Sequence, residues 1–247
     1  MSPDLSAPDA PPLEVYLLGV VPLDDALRLQ RRLAYDVGER AGGALILCEH
    51  PPAISVGRAG SRAHILPDDD GLGELGLAAR WVNRGGGVVL HLPGQLAAYL
   101  CLPLDVMGLT LGTYIDKLQS ALVATLAGFD LDAHARDDAE GLYLGHARVA
   151  SVGVAVGRWV STHGAVLNVG PYLEPFAILD EPGHGGHRLV QTSMEARRQR
   201  PTPMAKVREA LIRHVEDAFG LARHHLYTSH PLIRREAAPD VHVASLR

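Results

Sequence analysis

The sequence predicts an α+β fold: a single domain with a mixed β-sheet flanked by helices, packed mainly on one face. Three observations carry this. Most apolar runs are short and rich in Val, Ile and Leu (VYLLGVV, ALILCEH, VVLHL), as buried strands require. Helical periodicity is confined to a few stretches, and these do not alternate regularly with strands in βαβ units. No segment recurs at a fixed period, which excludes solenoids and propellers.

Taken in order, residues 1–12 (MSPDLSAPDAPP) read as disordered, and they lack the basic and apolar regions of a secretion signal. The domain is expected over 13–220. VYLLGVV (15–21) is the first strand. PLDDALRLQRRLAYDVGER follows as a helix, with Leu29, Leu33 and Val37 on one face and Asp24 and Asp25 in the first turn, where the dipole favours negative charge. ALILCEH (44–50) and AISVG (53–57) are strands. Residues 58–79 read as a loop whose Asp68–Asp70 run is a solvated turn. WVNR, VVLHL and LAAYLCLPL are strands around a glycine turn. TYIDKLQSALVATLAGF (113–129) is amphipathic through Ile115, Leu118, Leu122 and Leu126, with Thr113 and Asp116 as a capping box and Gly128 at its end. GLYLGHARVASVGVAV and RWVSTHGAVLNV are strands turning at Gly145 and Gly157. A last helix spans 201–220, with Pro at its start and Gly at its end. The tail, 221–247, is polar and has no clear pattern.

With 247 residues, 47% of them hydrophobic, the chain can bury a sizeable core. A net charge of -5 provides no basic face, so nucleic acid is not an expected partner. No apolar run approaches membrane-spanning length, so a membrane is not one either. The two cysteines, Cys48 and Cys101, sit inside apolar runs and read as buried thiols, which suits a reducing cytoplasm.

The segment RGGGVVLHLPGQ (84–95) frames the functional question. Glycines let backbone N–H groups approach a ligand and clear side chains from a narrow groove. The spacing is neither a dinucleotide fingerprint nor a P-loop. Alone, it is equally a tight β-turn. The His184 and His187 pair lacks a third metal ligand other than Glu181, so no metal is expected and no cofactor is implied.

Four motifs in sequence are more specific: EHPPAISVGR, RGGGVVLHLPGQLAAYL, GLYLGHARVASVGVAV and STHGAVLNVGPYLEPF. Together they resemble the octanoyltransferases of lipoate biosynthesis, over residues 15 to about 220. The resemblance implies the fold shared with lipoate and biotin ligases. It also implies octanoyl-acyl carrier protein as donor and a lysine of a lipoyl-domain protein as acceptor. The acyl groove would be lined by Arg84, Gly85, Gly86, Gly87, Val88, Val89, Leu90 and His91, by Ser151, Val152 and Gly153, and by Gly164, Ala165 and Val166. Burying methylenes at ~0.8 kcal/mol each, such a slot could gain several kcal/mol from an octanoyl chain.

Members of that family carry the acyl group on a cysteine in a P-C-G element and activate it with a lysine. Counted along the motifs, the lysine position holds Arg148 and the cysteine position Pro182. Arginine shuttles no proton and proline offers no nucleophile. The two are expected to face each other across the acyl tunnel. The only lysines, Lys117 and Lys206, lie on the long helices and read as solvent-facing. His91, His163 and His184 are candidate bases for direct attack of a lysine amine, or else structural residues. Cys101 as a relocated nucleophile is a weaker candidate. Three functions stay open: acyl transfer by a histidine-assisted route, a catalytically inactive paralogue that binds an acyl group, its carrier or a lipoyl domain, and an ATP-dependent ligase.

Overall fold

The computed structural model describes residues 11–40, 42–136, 139–183, 187–222 and 224–233. In chain order its strands are β1 (Leu13–Val20), β2 (Gly43–Glu49), β3 (Ala53–Val56), β4 (Ala79–Trp81), β5 (Val88–His91), β6 (Gln95–Cys101), β7 (His134–Arg136), β8 (Ala139–Leu144), β9 (Ala147–Gly157), β10 (Val160–Asn168) and β11 (His225–Tyr227). The helices are α1 (Leu23–Glu39), α2 (Asp69–Glu74), α3 (Leu111–Ala127), α4 (Met194–Arg198) and α5 (Met204–Phe219).

Eight strands form one sheet in the order β11-β1-β2-β6-β10-β9-β8-β7. It is parallel from β11 to β2 and antiparallel beyond, hence mixed. A second sheet, β4-β3-β5, lies beside it. Side-chain alternation sorts the central strands: Leu45, Leu47, Leu96, Ala98 and Leu100 share one apolar cluster with α3 and α5. Ile46, Cys48, Ala97, Tyr99 and Cys101 share the other with α1. Because both faces are covered, β2 and β6 are buried nearly throughout and read as continuous apolar runs. Helices therefore lie on both faces, two long ones against one face and one against the other. A third cluster sits under the small sheet and includes Ile54, Leu72, Leu90 and Phe176.

Several local readings change. Asp68 caps α2 by accepting from Gly71 N–H at 2.9 Å, so the acidic run starts a helix instead of forming a solvated turn. The cap of α3 is Thr110 with Thr113, three residues before the expected pair. Gly128 ends α3 as expected but with right-handed backbone (φ -63°), the left-handed residue being Asp130 (φ 62°) beyond it, and Gly220 (φ 64°) ends α5 as expected. Pro11 and Pro12 are tied down, their carbonyls accepting from Ala222 and Gly43 at 3.1 and 2.8 Å. The tail gains a strand: β11 pairs in parallel with β1. Residues 1–10 and 234–247 lie outside the described residues. Among the described residues, no helix is long and apolar enough to cross a membrane.

Candidate active site

A narrow pocket opens between the small sheet, α1 and the β9–β10 hairpin. Its wall holds Arg84, Val89 and His91 from the glycine segment, Ser151 and Gly153 from β9, and His163 to Val166 from β10. Ser55, Tyr99, Leu23, Leu27 and Val82 complete it. The free volume is about 20 Å³, room for a single water.

Period-2 alternation explains which expected residues are missing from the wall. Val152 points to the opposite face and packs with α3 and α5. Val88 and Leu90 turn into the cluster beneath the small sheet, leaving Val89 and His91 on the pocket side. Gly85, Gly86 and Gly87 do not line the pocket either. They let the loop lie flat on its neighbours: Gly85 N–H donates to Val154 O at 2.8 Å. A Cβ at Gly153 would stand 2.5 Å from Gly85 O, and one at Gly87 would collide with the Glu181 carboxylate.

Behind the wall runs a chain of buried polar groups. Arg84, 7% exposed, donates through Nη2 to Ser55 O (3.0 Å) and Oγ (2.9 Å), and through Nη1 to Gly85 O (3.0 Å). Burial lowers its pKa to about 10, which still leaves it cationic at neutral pH. Ser55 Oγ is 2.9 Å from His91 Nε2, while His91 Nδ1 is buried without a partner. Burial, then His50, Arg84 and His163, hold the His91 pKa well below the usual histidine range. In either neutral tautomer one ring nitrogen of this wall residue goes unsatisfied. Burial also lowers His50 to about 4. Its Nδ1 donates to Val21 O at 2.6 Å, so Nε2 accepts from Tyr99 OH at 2.8 Å. Burial, then Arg84 and Arg58, bring His163 to about 4 as well. Its backbone is left-handed (φ 62°), a strained setting for a non-glycine residue at the pocket mouth.

The residue that meets Arg148 is Glu181, not Pro182. Arg148 Nη2 lies 2.9 Å from Glu181 Oε2, with both side chains under a tenth exposed. Glu181 Oε1 accepts from Val88 N–H at 2.6 Å. With its amide turned oxygen-inward, Gln191 accepts from Arg148 Nε and Nη2 at 3.2 and 2.8 Å. Pro182 is exposed, and its backbone bridges to Arg188. Neither Arg148 nor Pro182 lines the pocket, so they do not face each other across it. The ion pair instead ties β9 to the start of β5. His184 lies outside the described residues, and the described partner of its loop, His187, is exposed.

No thiol or amine is available in the wall. Cys48 and Cys101 are fully buried beneath it, and burial pushes both thiols up to about 12. Lys117 is not solvent-facing as expected: it donates to Ala218 O at 2.6 Å, tying α3 to α5 on the far face of the sheet. Among the described residues, no group of three or more His, Cys, Asp or Glu is placed to hold a metal.

Residues 22–216 match the lipoyl protein ligase A/B catalytic domain. The chain is 34% identical over 205 residues to an octanoyltransferase of Azotobacter vinelandii, covering 83% of this chain and 90% of that protein. The chain belongs to the lipoyl protein ligase A/B family, on its octanoyltransferase side. An octanoyltransferase of Geobacter sp. M21 is 37% identical over 178 residues, which is 72% of this chain and 84% of that one. Among solved structures, a lipoate-protein ligase A bound with ATP superposes with a TM-score of 0.71 at 18% identity. The match covers 88% of this chain and 90% of that one, a likeness of fold. Of the two residues expected at the family's lysine and cysteine positions, Arg148 is held in a buried ion pair and Pro182 is exposed.

Sequence reasoning missed Ser55, Tyr99, His50 and Glu181. The first three lie in or beside motifs already recognised, EHPPAISVGR and LAAYLCLPL. Glu181, weighed only as a third metal ligand, had one legible signal: a carboxylate next to the residue expected at the cysteine position, matched to the arginine expected at the lysine position.

Proposed function

We propose that this protein takes the octanoyl group of octanoyl-acyl carrier protein, destined for a lysine of a lipoyl-domain protein, and handles it without an acyl-enzyme intermediate. The observation that carries this reading is the pocket wall itself. It is built from the family's glycine, β9 and β10 motifs, it includes His91, whose Nδ1 has no hydrogen-bond partner, and it contains no thiol or amine. The chain would lie along Gly153, Gly164 and Val166, and the thioester carbonyl beside His91 and His163. The pocket must widen to admit it, through separation of the small sheet and α1 from the β9–β10 hairpin.

Transfer then has one route, direct aminolysis. The acceptor amine attacks the thioester carbon, the C–N bond forms as the C–S bond breaks, the carrier thiolate leaves, and the ammonium proton of the adduct passes to a neutral histidine. Arg84, fixed on Ser55, supplies positive charge near the developing oxyanion. A histidine whose pKa lies near 4 is a weak base at neutral pH, so this route is slow. That depressed basicity, with the occupied Arg148–Glu181 pair, favours a second reading in which the chain binds the acyl group and transfers nothing.

One incubation separates the two. Octanoyl-acyl carrier protein and a lipoyl domain are mixed with the protein, and octanoyl-lysine is read by mass spectrometry. Product that falls in His91→Ala or His163→Ala supports the histidine route. Product undiminished in both variants removes it, and absent product with retained octanoyl binding leaves the binding reading.

A further inference from the structure

A larger groove, about 470 Å³, opens beside the pocket and shares Leu27, Val82 and His163 with it. Its size suits a ligand of a few dozen atoms. Two polar groups in it lack partners. Gln30, on the buried face of α1, is 2% exposed, and its side-chain nitrogen makes no hydrogen bond. Leaving a buried amide donor unsatisfied is costly and calls for an acceptor that binds there. Next to it, Arg31 is exposed and, among the described residues, pairs with no carboxylate. The other arginines of the groove are matched: Arg28 pairs with Asp25, and Arg80 with Asp24 at 2.6 Å. The groove thus carries about one uncompensated positive charge on a chain whose net charge is -5. Trp81, 61% exposed, offers an apolar plane along the same wall.

We infer that this groove holds the 4′-phosphopantetheine arm of an acyl carrier, with the phosphodiester at Arg31 and an arm amide carbonyl on the Gln30 side-chain nitrogen. The inference rests on the acyl reading of the neighbouring pocket. A thioester placed in that pocket must send its arm outward past His163, into this groove. A phosphodiester carries one negative charge, which matches the one unpaired guanidinium.

The test is titration calorimetry at low ionic strength with octanoyl-pantetheine and octanoyl-4′-phosphopantetheine. The phosphate should tighten binding about five- to tenfold, the effect of one charge-assisted contact. Arg31→Ala should erase that gain and leave octanoyl-pantetheine unaffected. Gln30→Met should weaken both ligands without lowering the Tm, because the amide it removes is unsatisfied in the free protein. Equal affinities in the wild type, or a gain that survives Arg31→Ala, overturn the groove assignment while leaving the acyl pocket standing. If neither compound binds, the acyl reading fails and the groove assignment with it. Binding of ATP alone that weakens in Arg31→Ala assigns the groove to a nucleotide and overturns the inference.

Discussion

Neutralising Glu181 should destabilise the fold well beyond the effect of an ordinary polar substitution. Glu181→Gln keeps an oxygen for Val88 N–H but removes the charge opposite Arg148, whose guanidinium sits with the carboxylate in a site less than a tenth exposed. Breaking a buried pair from one side leaves an uncompensated charge and costs about 3–5 kcal/mol. The Gln191 amide oxygen still accepts from Arg148, which places the expected value at the low end, about 3 kcal/mol. At about 2–4 °C per kcal/mol for a chain this long, Tm should fall by roughly 6–12 °C. Glu181→Ala also strands the Val88 N–H and should cost about 1–3 kcal/mol more. The double variant Arg148→Met/Glu181→Gln removes both charges and should recover most of the loss. Urea unfolding of the wild type, Glu181→Gln, Arg148→Met and the double variant gives the coupling energy, expected to exceed about 2 kcal/mol with m unchanged. Glu181→Gln within about 1 kcal/mol of wild type, or strictly additive single effects, would refute the reasoning that this pair is an internal tie.

The buried histidines set a pH dependence. His50 and His163 are lowered to about 4 and burial holds His91 well below the usual histidine range, so between pH 4 and 6.5 the unfolded chain binds more protons than the folded one. Stability is fully present above pH 6.5 and declines below it, at about 1.4 kcal/mol per pH unit for each histidine kept neutral. His50→Gln should reduce that slope by one proton, as read from urea midpoints at pH 7 and 5.5; an unchanged slope contradicts the assignment. Gly153→Ala places a methyl 2.5 Å from Gly85 O, a backbone atom, and should cost about 1–3 kcal/mol and weaken octanoyl binding in calorimetry. Cys48 and Cys101 should resist a thiol reagent in the native protein and react only at the rate of unfolding, since both are fully buried with pKa values near 12. Labelling at a free-thiol rate in native buffer would show that either one is reachable.

Much of this fold was legible because its signals are local. The α1 stripe of Leu29, Leu33 and Val37 and the Pro-to-Gly span of α5 follow from periodicity and termini alone. The continuous apolar runs of β2 and β6 follow from burial on both faces. What escaped depends on contacts distant in sequence. β11 exists because β1 offers it an edge, and its three residues have no strand signature of their own. The placement of α1 opposite α3 and α5 is decided by sheet order, which a stripe cannot report. In the site, counting along motifs singled out Arg148 and Pro182 but could not give the directions of their side chains or of their neighbours. Glu181 reaches inward while Pro182 stays exposed, and alternation sends Val152 and Leu90 away from the wall that Ser151, Gly153 and His91 form. The glycines signalled close packing, which sequence reasoning assigned to a ligand and the structure assigns to Val154, Gly153 and Glu181.

The account turns on an acyl site that has no covalent step, and mass spectrometry reads both halves of that claim in one sample. The protein is incubated with octanoyl-acyl carrier protein and split between native and denaturing conditions. The native spectrum should show an octanoyl-bearing complex, and the denatured chain should keep its unmodified mass. A denatured chain heavier by one octanoyl group, mapped to Cys48, Cys101 or any other side chain, would contradict it.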